Sequence, residues 1–259
     1  MEESLSPSAV TDNLGTRFIG QRVICYSSVP STMQAARQEA HWGAPAGTVI
    51  IADEQTAGRG RLNRAWLSPK GSVALSVILR PNIAYLPSLI MLASLAVARA
   101  IEKVTALKAE IKWPNDVLID EKKVCGILIE NEVRRNTLVY AIIGIGINVN
   151  MHLADFPDIF PTATSLSDEL GKEVSRLELV RQLLVEIDRL YLELPAGDTI
   201  YEQWRDNLVT LGRTVRVQSG EAVIEGVAES VGRDGSLFVC QQDGSLTRIV
   251  AGDATLLRK

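Results

Sequence analysis

Arginines interleaved with glycines form the densest chemical signal in the sequence, Gln55-Thr-Ala-Gly58-Arg59-Gly60-Arg61-Leu-Asn-Arg64-Ala-Trp66. Glycines permit positive φ and close approach of backbone N–H groups to an anion, and guanidinium forks beside them suit a phosphate or a carboxylate. A basic hairpin loop with its arginines in water accounts for the same composition equally well. The stretch is neither a G-x-x-x-x-G-K-[ST] phosphate loop nor a G-x-G-x-x-G dinucleotide fingerprint. A second group is Lys112-Trp-Pro-Asn115-Asp116, followed after a turn by Lys123-Val-Cys-Gly126. Lys123 opens an otherwise apolar strand, where an ammonium either guards a sheet edge or is held for an anion. Pro-Asn-Asp is also good turn chemistry. In the third group, Gly144-Ile-Gly146-Ile-Asn148, the glycines mark close backbone approach or simple packing, and Asn148 could offer an amide to a base or ribose.

These groups need a scaffold, and β-rich runs at residues 22–26, 48–52, 72–79, 116–119, 123–130 and 138–149 supply one. Ser31 with Gln34 spells a capping box for a helix running to about Ala40, which puts Ser31 and Thr32 at a helix N-terminus. Residues 86–104 read as a largely apolar helix buried against a sheet. A third helix starts at Ser175 with Glu178 as capping partner, and Leu177, Val180, Leu184, Ile187 and Tyr191 make it amphipathic. Past Leu211 the texture changes to five short strands, at 214–218, 222–230, 236–240, 247–250 and 255–257, with Gly220, Asp234-Gly235 and Asp243-Gly244 as turns. That pattern fits a small SH3-like or OB-like barrel. Acids and bases balance between residues 209 and 259, so this barrel is a poor polyanion binder.

At 259 residues the chain is long enough for one large domain and a small module. Its 27 Lys and Arg against 31 Asp and Glu leave no bulk basic field for DNA. Two histidines exclude a histidine-rich metal site, and three widely separated cysteines read as thiols of a reducing compartment. The most apolar stretch, residues 89–98, falls short of a membrane span. Residues 1–16 lack the basic and apolar regions of a signal peptide and read as a polar tail, so a cytoplasmic location is expected.

In the order and spacing of Ser31-Thr32, Gly58-Arg-Gly-Arg61, Lys112-Trp-Pro-Asn-Asp116, Lys123 with Gly126-Ile-Leu, and Gly144-Ile-Gly-Ile-Asn148, the chain resembles the biotin protein ligases over roughly residues 22–259. The resemblance implies an α+β fold: a mixed sheet with flanking helices, like that of class II aminoacyl-tRNA synthetases, plus a C-terminal SH3-like β-barrel. It divides the chain into a polar extension (1–20), a catalytic biotin- and ATP-binding domain (21–210) and the barrel (211–259). It further implies ATP-dependent activation of biotin as biotinyl-adenylate, with Mg²⁺, and transfer to a lysine of a biotin carboxyl carrier protein of acetyl-CoA carboxylase or a related carboxylase. By position, Ser31, Thr32, Met33, Gln55, Gly58, Gly60 and Gly126 would surround biotin. Arg59, Arg61 and Lys123 would act on its carboxylate and the α-phosphate. Trp66, Lys112, Asn115 and Asn148 would face the nucleotide, and Asp116 the metal.

Met33 departs from the Asn often found after Ser-Thr in this family. About twenty polar residues precede the first strand, too few for the helix-turn-helix of some relatives, so the form without a DNA-binding domain is expected and no DNA partner. A homodimer is compatible with the resemblance. Lipoate–protein ligase shares the fold and the reaction logic with a different acid, and a biotin-responsive regulator would use the ligand only as a switch.

Overall fold

Side-chain alternation along long apolar strands sorts this chain into layers. The computed structural model describes residues 5–159, 161–196 and 199–257. Its larger sheet contains β1 (Val23–Tyr26), β2 (Val49–Ala52), β3 (Val73–Leu79), β4 (Glu110–Lys112), β5 (Asp116–Ile119), β6 (Lys122–Arg134) and β7 (Thr137–Ile147). Their spatial order is β1-β2-β3-β7-β6-β5-β4. The β1–β2 pair is parallel and the others antiparallel, so the sheet is mixed, as expected.

On β3 and β7, Val73, Leu75, Val77 and Leu79 join Ala141, Ile143, Ile145 and Ile147 in the main core. The alternate positions, Ser76, Ile78, Ile142, Gly144 and Gly146, face the other way. Helices α1 (Pro7–Thr11), α2 (Thr32–His41), α3 (Leu86–Thr105), α4 (Leu166–Leu170), α5 (Arg176–Glu193) and α6 (Thr199–Asp206) complete the layers. α3 and α5 cover the core face, where burial of a side chain such as Leu89, Leu92 or Ile101 contributes about 1.5 to 3 kcal/mol. α2 lies on the opposite face, packing Met33, Ala36 and Ala40 against Ile50, Ile78 and Ile142.

Two expectations need correction. Residues Ile83–Thr105 are long and apolar enough to cross a membrane by length and composition, more than the short apolar run suggested. Leu89, Met91, Leu92, Leu95, Val97 and Ile101 of α3 are instead buried, and the helix packs on the sheet and α5. The N-terminal segment is also more than a polar extension, because Leu5, Val10 and Ile19 enter the main core. The Asp188 carboxylate on α5 accepts from the N–H groups of Arg17, Phe18 and Ile19 at 3.0, 2.8 and 2.7 Å. The short elements α1, α4, α6 and β4 carry too few residues to show a period.

A second sheet holds β8 (Thr214–Ser219), β9 (Ala222–Val231), β10 (Leu237–Cys240), β11 (Leu246–Ile249) and β12 (Asp253–Leu256), in the order β11-β10-β9-β8-β12. The strands follow the expected ones closely. Its inward side chains, among them Val215, Val217, Leu237 and Val239, belong to the same core as the first sheet. The buried Trp113 joins the two, its Nε1 donating to Gly235 O at 2.8 Å.

Candidate active site

Between the N-terminus of α2, the outward face of β6 and β7, the arginine loop and the second sheet lies a cavity of about 580 Å³. Glycines make its floor. Gly126 and Gly146 are cross-strand partners, and Leu128 pairs with Gly144. A Cβ on Gly146 would lie 2.3 Å from Trp66 Nε1, and one on Gly144 would lie 2.5 Å from Met33 Sδ. Close approach is therefore the reason for these glycines. Trp66 rests on this floor with its Nε1 buried and lacking an acceptor among the described residues.

At the α2 end the capping box does not form as expected, for Ser31 is the N-cap residue but its side chain makes no capping bond. Gln55 replaces it. Its Oε1 accepts from Thr32 N at 2.8 Å and from Thr32 Oγ1 at 3.1 Å, and Ser76 Oγ donates to Thr32 Oγ1 at 2.9 Å. The buried Ser31 hydroxyl is left without a side-chain partner among the described residues, and so is the Gln55 amide NH₂.

Across the cavity, Lys112 and Asp116 are opposite one another on β4 and β5. Asp116 receives Lys123 Nζ at 2.6 Å on one oxygen and Lys112 Nζ at 3.1 Å on the other. A bulge between β5 and β6 brings Lys123 to this face, since Val124 and Cys125 both enter the core and the ordinary alternation is broken there. Burial alone would raise the Asp116 carboxyl, but the charges of Lys123 and Lys112 outweigh it and hold the group below the usual carboxylate range. Two ammoniums against one carboxylate leave a net positive clamp. Lys123 also stands 5.4 Å from the Trp66 ring centroid. Cys125, on the core side, has its thiol pushed up by burial and is no nucleophile.

The arginine loop departs from expectation in where its unusual backbone lies. Neither Gly58 nor Gly60 has positive φ, whereas Leu62 and Asn63 do, at 54° and 58°. Left-handed backbone at such residues costs on the order of 1 kcal/mol each. Gly58 is required by proximity, because a Cβ there would lie 2.4 Å from Trp66 O. Arg61 Nη1 donates to Asn115 Oδ1 at 3.1 Å, and Asn115 Nδ2 donates to Ile127 O at 2.8 Å, which ties the loop to the sheet. Arg59 also lines the cavity.

Of the expected site residues, Ser31, Thr32, Met33, Gln55, Arg59, Gly60, Arg61, Trp66, Lys112, Asn115, Asp116, Lys123, Gly126 and Asn148 all line the cavity, and Gly58 supports it from behind. The Asn148 Nδ2 donates to Thr164 O at 3.0 Å and fastens the segment that carries Ile159, Thr162 and Ala163 along the wall. A metal held by Asp116 does not fit, since both of its oxygens are taken by ammoniums. Among the described residues no group of three or more His, Cys, Asp or Glu could hold one. Sequence reasoning missed Arg216, Gln218, Asp253 and Thr255, which bring the second sheet into the cavity wall. Outward alternation on β8 is the signal that could have found Arg216 and Gln218.

The model of the biotin/lipoate A/B protein ligase family matches residues 25–148. The bifunctional ligase/repressor BirA of Bacillus subtilis (strain 168) is 36% identical over 258 residues, covering 97% of this chain and 79% of that protein. The biotin–[acetyl-CoA-carboxylase] ligase of Paracoccus denitrificans is 33% identical over 202 residues, covering 73% of this chain and 82% of that one. The structure of biotin protein ligase from Aquifex aeolicus in complex with biotin and ATP has a TM-score of 0.78 at 31% identity, covering 92% of this chain and 100% of that one. With the motifs gathered around one cavity and the likeness running along nearly the whole chain, the protein belongs to the biotin/lipoate A/B protein ligase family as a homologue of the biotin protein ligases.

Proposed function

We infer that the protein is an ATP-dependent ligase that activates biotin and transfers it to a lysine of a biotin carboxyl carrier protein. The observation that carries this reading is the Lys112–Asp116–Lys123 clamp, set across one cavity from the polar group of Ser31, Thr32 and Gln55. In the first step a biotin carboxylate oxygen attacks the α-phosphorus of ATP and pyrophosphate leaves. Two anions must meet, and the net positive clamp with Arg59 and Arg61 offsets their repulsion and the charge that develops on the phosphoryl oxygens. In the second step a carrier lysine amine attacks the acyl carbon and AMP leaves. The mixed anhydride hydrolyses readily in water, so a loop over the cavity protects it. Mg²⁺ enters with ATP as part of that substrate.

The Ser31 hydroxyl and the Gln55 amide favour biotin over lipoate. A ureido ring offers N–H and C=O groups to such partners, whereas a dithiolane ring leaves them unpaired at a cost of about 1 to 3 kcal/mol. We read residues 21–210 as the catalytic unit and the five-stranded sheet of residues 211–259 as an SH3-like module. The name of the Paracoccus relative favours acetyl-CoA carboxylase as the source of the carrier. Three free thiols, Cys25, Cys125 and Cys240, support a cytoplasmic location.

Incubation with ATP, Mg²⁺, an apo carrier domain and either radiolabelled biotin or lipoate tests the assignment. Label on the carrier from biotin alone is expected. Label from lipoate alone would make the protein a lipoate ligase, and biotin binding with no pyrophosphate release would make it a regulator.

A further inference from the structure

Asp253 opens β12 opposite Gln218 of β8, yet its carboxylate reaches out of the second sheet to the arginine loop. One oxygen lies 3.5 Å from Arg61 Nη1 and the other 2.6 Å from Arg64 Nη1. These two arginines flank Leu62 and Asn63, the left-handed pair, whose side chains are exposed. Without a counter-charge, two guanidiniums would stand together on either side of an unfavourable turn. The loop therefore draws a counter-charge from a different sheet.

We propose that Asp253 is a positioning residue for the adenylation step: it fixes Arg61 against Asn115 before nucleotide arrives, so that the second sheet governs how the arginine loop receives the phosphates. Asp253 and Asn115 share one nitrogen of Arg61, Nη1, and the other donors have no partner among the described residues. Asp253 thus orients the guanidinium and leaves most of its fork for a phosphate oxygen. The kinetic half of this proposal rests on the ligase reading, and the loop contact itself does not.

Trypsin cleavage after Arg61 in the substrate-free protein measures how often the loop opens. Asp253→Asn is expected to speed that cleavage about three- to tenfold, in keeping with the loss of two partly exposed ion pairs. The same variant is expected to raise KM for ATP in biotin-dependent pyrophosphate exchange by a similar factor, with kcat held within about twofold. Asp253→Glu is expected to restore both, because the role requires the charge and not the shape of a strand end. Arg64→Gln, at a side chain 66% exposed, is expected to speed cleavage after Arg61 in the same direction. Combining it with Asp253→Asn should open the loop no further than Asp253→Asn alone.

Unchanged cleavage and unchanged KM in folded Asp253→Asn would overturn the proposal, as would additive effects in the double variant. Should Asp253→Asn fail to fold, wild-type cleavage in Arg64→Gln overturns it instead. Faster cleavage in the variants, together with no biotin-dependent exchange by the wild type, would support the loop contact and remove the ligase reading.

Discussion

Lys112, Asp116 and Lys123 stand on hydrogen-bonded strands, whereas Arg59, Arg61 and Arg64 stand on a loop with two left-handed residues at its turn. The first group is fixed by sheet register and a bulge, and moving it would break backbone pairing. The second is tied to the sheets by the Arg61 hydrogen bond to Asn115 and by the ion pairs of Arg61 and Arg64 with Asp253, beyond its own backbone bonds, and can open without disturbing any strand. A site that must hold two anions and also admit and release them needs both kinds of support. On the proposed ligase reading, the charges needed throughout the reaction lie on the sheet, and those that must come and go lie on the loop.

The largest effect should come from the fixed half. Lys123→Met is expected to lower biotin-dependent pyrophosphate exchange by about a hundredfold or more, on the order of 3 kcal/mol, with biotin binding weakened but measurable by calorimetry. Near wild-type exchange would break the distinction between the halves. Next comes the floor. Gly146→Val is expected to weaken biotin binding by about 1 to 3 kcal/mol, because the new side chain displaces Trp66 from its resting place. Titration of wild type and variant with biotin decides this.

Asp116→Asn sharpens the comparison through pH. The Asp116 carboxyl is depressed in the folded protein, so its stabilising contribution is complete above the unfolded value, about pH 4, and is lost as pH falls below that through the folded value. The variant is expected to lose about 1 to 2 kcal/mol at pH 7 and to converge with wild type in acid, as read by urea unfolding across pH. The smallest effect belongs to the loop. Asn63→Gly relieves one left-handed residue and should change loop opening by less than about 1 kcal/mol, visible only as somewhat slower trypsin cleavage after Arg61. A large change there would mean that the turn, and not the ion pairs, governs closure.

Much of this site was legible in the sequence because its residues come in short motifs, each tied to one element. Gly126, Gly144 and Gly146 could be suspected of close approach, but only the register shows that Gly126 and Gly146 are partners across β6 and β7. The reason for the glycines in the arginine loop was misread: a local rule about positive φ does not foresee that Gly58 must make room for Trp66. Lys123 was found by its company, although strict alternation from Gly126 would have put it in the core. Asp253 could not be found locally, since its partners lie on a loop almost two hundred residues earlier and it falls before the strand expected at 255–257. Leu5, Val10 and Ile19 escaped notice because their spacing matches no period, and their packing is decided by α5.

Trp113 bears on whether this protein can be cut and rejoined. It sits wholly inside the molecule within the Lys112–Asp116 motif, and it is fastened at its ring nitrogen to a turn of the second sheet. The two sheets therefore have no clean seam, and heating should melt them in a single calorimetric transition. A chimera that borrowed the last fifty or so residues from a relative would have to bring a compatible lining for this indole, or the graft would unsettle the strand ends that carry Lys112 and Asp116.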